Sequence, residues 1–184
     1  MSVWVCMVAS RPESVTLQTF SSHDFRATVG AFATGVTVVT TRGEEHAYGM
    51  TANAFSSVSL DPPLILVCVI SGSEGADHIS RSGVFAVNVL SAEQEPLSRY
   101  FASRDRPKGR DAFSEVSHRI GSSGSPILAA AAAALDCRLH STYEAGDHLI
   151  FIGEVLELDL LEGHHPLVFH GGKYRLLEQP PTVG

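Results

Sequence analysis

The side chains best suited to holding a ligand lie in one stretch, Gly49 to Val69 (GMTANAFSSVSLDPPLILVCV). Thr51, Asn53, Ser56, Ser57 and Ser59 offer donors and acceptors with almost no charge. The side chains of Thr51, Ala52, Asn53 and Ala54 are short, so a ligand could approach the backbone closely. Such a lining suits a neutral, heteroatom-rich ring better than a metal ion or a charged peptide. The alternative is a hydroxyl-rich strand pair facing solvent, and composition alone does not separate the two. His148 follows a Gly-Asp turn and opens an apolar strand, which places its imidazole at a strand-end rim. There it is either a solvated turn residue or a neutral donor to a planar ligand. The segment Arg99 to Arg110 holds five of the chain's 13 Lys and Arg residues: Arg99, Arg104, Arg106, Lys108 and Arg110. Interspersed Pro and Gly make it a loop. A basic loop in an acidic chain suits the phosphate of a nucleotide-like ligand, or is simply solvated.

Other chemistry is missing from the pattern. There is no G-x-G-x-x-G, no G-x-x-x-x-G-K-[ST], no H-E-x-x-H and no G-x-S-x-G. Of nine histidines, none pairs with a cysteine at a zinc-like spacing, and no metal site is expected. Cys6, Cys68 and Cys137 are odd in number and far apart, so neither a disulfide framework nor a C-x-x-C site is indicated. Cys68 and Cys137 lie in apolar strand-like runs and read as buried thiols. The net charge of -7 argues against nucleic-acid binding and against attraction to anionic membranes. No apolar run approaches a membrane span. The first residues, MSVWVCMVAS, carry no basic residue ahead of their short apolar run, unlike a secretory signal. A reducing cytoplasm is the expected location. Length predicts one domain, spanning residues 20–180 after an extension at 1–19.

The elements that must position these groups follow from periodicity. Ser21 and Asp24 form a capping-box pattern, with Phe20 and Phe25 stapling across it. Phe25, Val29 and Phe32 share one helical face, read as core packing, and Gly35 ends the helix. Val36 to Thr41 is β-branched throughout and reads as a strand. Pro62 and Pro63 force a turn between Leu60 and Leu64, and Leu64 to Ile70 reads as a strand buried on both faces. Ser71 to Gly75 reads as a flexible loop, and Asp77 to Arg81 as a short helix whose first amides could meet an anion. Val84 to Leu90 is another strand, and Ser91 to Gln94 caps a helix to about Phe101. Six consecutive alanines within Leu128 to Leu135 favour helix by propensity, though the run is too short to hold one alone. Leu135 to Tyr143 alternates apolar with polar residues, among them Asp136 on the polar side. A turn at Glu144 to Asp147 leads into a long strand from His148 to Leu160, and a last hairpin turns at Gly171-Gly172. Six or seven strands in successive hairpins predict a mainly β, antiparallel barrel with flanking helices, closed rather than flat.

Four of these blocks occur in register: GVTVVTT, GMTANAFSSVSLDPPLILVCV, FAVNVL and GDHLIFIGEVLEL. Together they resemble the flavin reductase-like family, the short-chain NAD(P)H:flavin oxidoreductases that serve two-component monooxygenases. The resemblance spans about residues 22 to 178. It implies an FMN-binding split barrel of Greek-key-like topology, a homodimer with flavin near the subunit interface, and a separate monooxygenase as partner. It implies FMN or FAD, with NADH or NADPH as co-substrate and hydride passing to the flavin. By the same resemblance Thr37, Val38, Val39 and Thr40, with Thr51, Ala52 and Asn53, line the flavin ring and ribityl chain. Ser56, Ser57, Val58 and Ser59 add contacts to it. Ser71, Ser73, Ser103 and Arg104 take the phosphate. His148 lies by flavin and nicotinamide, and Tyr174 and Arg175 lie near the same pocket. The chain departs from relatives at Asp111-Ala112-Phe113, where a Lys or Arg often precedes the Phe, and in SGSEGADH, which has no basic residue. Two other classes remain open: a flavin or haem carrier on the same barrel, and a purely structural subunit of an oxygenase.

Overall fold

A computed structural model describes residues 19–177. In chain order it contains α1 (Ser22–Val29), β1 (Thr34–Gly35), β2 (Thr37–Thr41), β3 (Tyr48–Ala52), β4 (Phe55–Leu60), β5 (Pro63–Ile70), α2 (Glu74–Ser82) and β6 (Val84–Val89). Then follow α3 (Glu95–Ala102), β7 (His118–Ile120), β8 (Pro126–Leu128), β9 (Ala133–Ala145), β10 (His148–Leu160), β11 (Val168–His170) and β12 (Lys173–Arg175), with short 3-10 turns before α3 and at Gly109–Phe113.

The main sheet has seven antiparallel strands in the order β3-β2-β6-β9-β10-β5-β4. Its two edge strands are consecutive in the chain, so the sheet rolls until β3 and β4 meet. The link between them, Asn53-Ala54, is fixed by Cys68 N–H donating to the Ala54 carbonyl at 3.0 Å. The ladder stays open at this seam, which makes the barrel a split one.

Val39, Val67, Phe85, Val87, Cys137 and Phe151 fill the barrel, plugged at one side by Ala76 and Ile79 of α2. Val36, Val38, Leu90, Phe101, Phe113 and Leu167 form a second core outside it, beneath α3. All of β2 is therefore buried, Val39 in one core and Val38 in the other. The strand β5 departs from the expected double burial. Ile65, Val67 and Val69 enter the core, while Leu64, Leu66 and Cys68 on the alternate face are only half-buried.

The local signals at α1 hold, but its packing does not. Ser21 Oγ accepts the Asp24 N–H at 3.1 Å, the Asp24 carboxylate accepts the Ser21 N–H at 3.2 Å, and the Phe20 and Phe25 rings stack at 5.9 Å. Yet Phe25, Val29 and Phe32 are 54%, 51% and 77% exposed and join no core. The helix stops at Gly30 rather than Gly35, because Thr34 and Gly35 are drawn into a pair with Phe169 and Val168.

Three further expectations change. Ser71 to Gly75 is not a loose loop: Ser73 N–H donates to Ile70 O, and the Ser73 hydroxyl caps α2 by accepting the Ala76 N–H. The helix therefore begins before Asp77. The alanine run is not helical. Ala132 N–H bonds Val89 O, Ala133 pairs with Val89, and Ala130 turns through a φ of 56°. Tertiary pairing overrides propensity here. Asp136, expected on the polar side, is 1% exposed. The Gly121–Ser125 turn folds over it, so that its carboxylate accepts Ser123 N–H and Oγ–H at 2.6 and 2.5 Å. The thiol of Cys137 is buried and pushed up to about 12 by that burial, with the Asp136 charge adding to it. Cys6 lies outside the described residues.

Candidate functional site

A cleft of about 410 Å³ lies over the barrel seam. Its floor is the unpaired edge of β3, its sides the last residues of β5 and the first residue of β10, and its rim the start of α2 and the segment after α3. The edge is usable because of register. Gly49 O is turned away from β2, since it accepts a bond from Arg106. Alternation then turns the peptide groups of Thr51 outward as well. Close approach of α3 to this floor depends on Gly49, where a side chain would come within 2.6 Å of the Phe101 ring.

Many of the expected residues meet here. Thr51, Ala52, Asn53, Ser73, Ser103, Arg104 and His148 all line the cleft, although they come from four separate segments. Thr51 Oγ1 donates to Ser98 O at 2.6 Å, and Asn53 Nδ2 lies 3.3 Å from Thr34 Oγ1. His148 sits with its Nδ1 2.7 Å from Asp147 Oδ1, a pairing that leaves Nε2 free. That hydrogen bond, and then the imidazole charge, holds the Asp147 carboxyl below its ordinary range. The lining carries two arginines and no carboxylate.

Others stand apart. Thr37, Val38, Val39 and Thr40 are buried and do not reach the cleft. Thr37 Oγ1 donates to Ala52 O and Thr40 Oγ1 to Pro126 O, so both hydroxyls are satisfied within the protein. Ser56, Ser57, Val58 and Ser59 lie on β4 outside the lining, with a bulge in the pairing between Ser57 and Ser59. Ser71 is exposed beside the turn, its N–H on Asp147 O. Tyr174 is one side chain removed: its hydroxyl meets Ser98 Oγ at 2.8 Å, behind Thr51. Arg175 is exposed on β12.

The cleft also includes residues that the pattern did not single out as ligands: Tyr48, Met50, Cys68, Phe101 and Arg106. Membership of the basic loop was the one available signal, for Arg106. Burial pushes the Cys68 thiol up from its ordinary value. Two other clefts contain none of the expected residues. One of about 500 Å³ lies between the β2–β3 turn and α2, and one of about 390 Å³ lies beside the alanine run. Among the described residues no three His, Cys, Asp or Glu side chains converge as a metal site, and no helix is long and apolar enough to cross a membrane.

Residues 29–178 match the flavin reductase like domain. An NADH-dependent FAD reductase of Streptomyces globisporus is 46% identical over 151 residues, 82% of either chain. An NADH-dependent FMN reductase, AsuE2, of Streptomyces nodosus subsp. asukaensis is 43% identical over 158 residues, 85% of either chain. The reductase subunit HsaB of a flavin-dependent monooxygenase from Rhodococcus jostii is 36% identical, covering 92% of this chain and 85% of its own. Among solved structures, the NADH:FAD oxidoreductase SgcE6 of Streptomyces globisporus superposes with a TM-score of 0.82 at 41% identity, covering 91% of this chain and all of that one.

Proposed function

The chain belongs to the flavin reductase-like domain family, and from that premise we propose that the seam cleft is where it reduces flavin. The protein is an NADH-dependent flavin reductase that acts on FMN or FAD and supplies reduced flavin to a monooxygenase. The observation that carries the assignment to this cleft is its lining, an exposed strand edge with short uncharged side chains on the floor and cationic at one end, without a carboxylate. A flavin nucleotide has this same division, a neutral heteroaromatic ring at one end and phosphate at the other.

Bound flavin supplies the hydride-accepting chemistry, so the protein has only to bind, orient and shield. The outward peptide groups of Thr51, with the short side chains of Ala52 and Asn53, give the ring a polar edge to lie against. Arg104, Ser103 and the capped start of α2 at Ser73 face the phosphate. His148 Nε2, oriented through Nδ1 and Asp147, addresses the ring or the nicotinamide carboxamide. No strong acid or base is needed, and the cleft holds none beyond this histidine.

The reductase acts as a homodimer in the reducing cytoplasm, and flavin leaves after reduction. The apolar side chains left exposed on α1 and at the outer end of β10, Phe25, Val29, Leu158 and Leu160 among them, support self-association. Loss of NADH absorbance with FMN, FAD or riboflavin tests the whole reading. Rates that saturate with free flavin are expected. Tight flavin binding without NADH oxidation would instead make the protein a carrier.

A further inference from the structure

Arg106 is held in a way that binding alone does not require. Its Nη1 donates to Ser103 O at 2.8 Å and its Nη2 to Gly49 O at 2.6 Å. Its guanidinium lies over the Tyr48 ring at 5.4 Å and near the Phe101 ring at 5.8 Å. Tyr48 also stacks on His78 of α2, at 4.9 Å and 12°. The Nε of Arg106 is shielded from solvent and has no hydrogen-bond partner among the described residues, and the two Nη bonds hold the group in place. Lys108 of the same loop also reaches α2, pairing with Glu74 at 3.4 Å, but that pair is exposed and of a kind worth little.

We infer that Arg106 is a positioning residue. Through its bonds and its contact with Tyr48, which stacks on His78, it locks together three walls of the flavin cleft: the Ser103–Arg104 segment, the β3 edge and α2. It sets flavin affinity by holding these walls in place rather than by pairing with the phosphate. Arginine suits this place because a planar fork can bridge two carbonyls while its flat face lies on an aromatic ring, whereas the compact ammonium of lysine has no such face to stack while it bonds. This inference rests on the cleft being the flavin site.

The test is flavin affinity by quenching of flavin fluorescence, with steady-state KM and kcat alongside, for Arg106→Gln, Arg106→Lys, Tyr48→Phe and Tyr48→Leu. The expected result is a flavin Kd and KM raised about tenfold in Arg106→Gln and Tyr48→Leu. Arg106→Lys falls between them and the parent, Tyr48→Phe matches the parent, and kcat at saturating flavin stays within about twofold. A merely structural role would lower thermal stability and kcat together while leaving the Kd of the folded fraction unchanged, and that outcome overturns the inference. So does a Kd within about twofold of the parent in Arg106→Gln. If the parent binds flavin without oxidising NADH, the function proposed above fails while the fluorescence titration still judges Arg106. If it binds no flavin, both fail.

Discussion

At the scale of single residues the cleft divides its work between one imidazole and one guanidinium. His148 is fixed by Asp147, and its free Nε2 faces the cleft. Removing one oriented hydrogen bond costs about 1–1.5 kcal/mol, close to a tenfold change. His148→Ala is therefore expected to lower kcat/KM for NADH about tenfold, and Asp147→Asn to lower it less, because the imidazole keeps a hydrogen-bond partner. Equal rates for His148→Ala and the parent would leave the residue an ordinary turn histidine. Arg104 offers a sharper test, since its proposed partner is the phosphate. A charge-assisted hydrogen bond contributes ~1.5–3 kcal/mol, so Arg104→Ala should raise KM for FMN roughly ten- to a hundredfold. The same variant should leave riboflavin, which has no phosphate, unchanged. An equal loss for both flavins would place Arg104 elsewhere.

At the scale of elements the barrel depends on close backbone approach and on one capped turn. Gly153 lies in β10 at a register shift, where an added Cβ would come within 2.5 Å of the Phe85 ring and 2.9 Å of Cys137 Cβ. Both neighbours are fully buried and cannot give way. Gly153→Ala is expected to cost ~1–3 kcal/mol by overpacking and to lower Tm by several degrees, with flavin KM unaffected. At the far end of β10, Glu157 accepts bonds from Ser122 Oγ–H at 2.5 Å and Ser122 N–H at 2.9 Å, and also pairs with Arg119. These contacts, Ser122 first, hold its carboxyl at about 2, below the ordinary 4.5. A carboxyl lowered in the folded state binds its proton more readily when unfolded. Its stabilisation is therefore complete above about pH 4.5 and is lost as pH falls toward 2. The Tm gap between the parent and Glu157→Gln should be constant near neutrality and close over that window. A gap that persists at pH 2 would assign the effect to shape rather than charge.

At the scale of the whole molecule the chain turns its ligand-facing edge outward. The cleft lies along an open seam, not inside the barrel, so the proposed flavin site has a short path in and out. That suits a protein whose product must reach a second enzyme. Reduced flavin formed under anaerobic conditions should pass through a membrane filter that retains the protein. Retention of all flavin over many turnovers would argue for a bound prosthetic group. The apolar side chains left uncovered on α1 and along the outer end of β10, Phe25, Phe32, Leu158 and Leu160 among them, make self-association the expectation. Light scattering during gel filtration should give twice the 19.7 kDa chain mass.

The sequence by itself did not determine the short strands β1, β7 and β8, but it did determine the strands of the main sheet, most of their hairpins and the family. These rest on local facts: β-branched runs, alternation, the Pro62-Pro63 turn, capping at Ser21 and the order of four motifs. It also named Thr51, Ser73, Arg104 and His148, because short hydroxyl side chains, a basic loop and a rim histidine are legible one residue at a time. Only the tertiary structure decided which of these meet. Thr37 to Thr40 belong to a matching motif yet lie buried between two cores, because β2 is central in the sheet and its neighbour β3 is the edge. Asp136 alternates as a surface residue but is buried by a turn that closes over it, and the alanines form a turn and the start of β9 despite their helical propensity. Arg106 acquires its place from Gly49, Tyr48 and Phe101, which are remote or unremarked in the chain. Periodicity reports which face of an element is apolar, but what covers that face is set by contacts between distant segments, and those exist only once the barrel has rolled up.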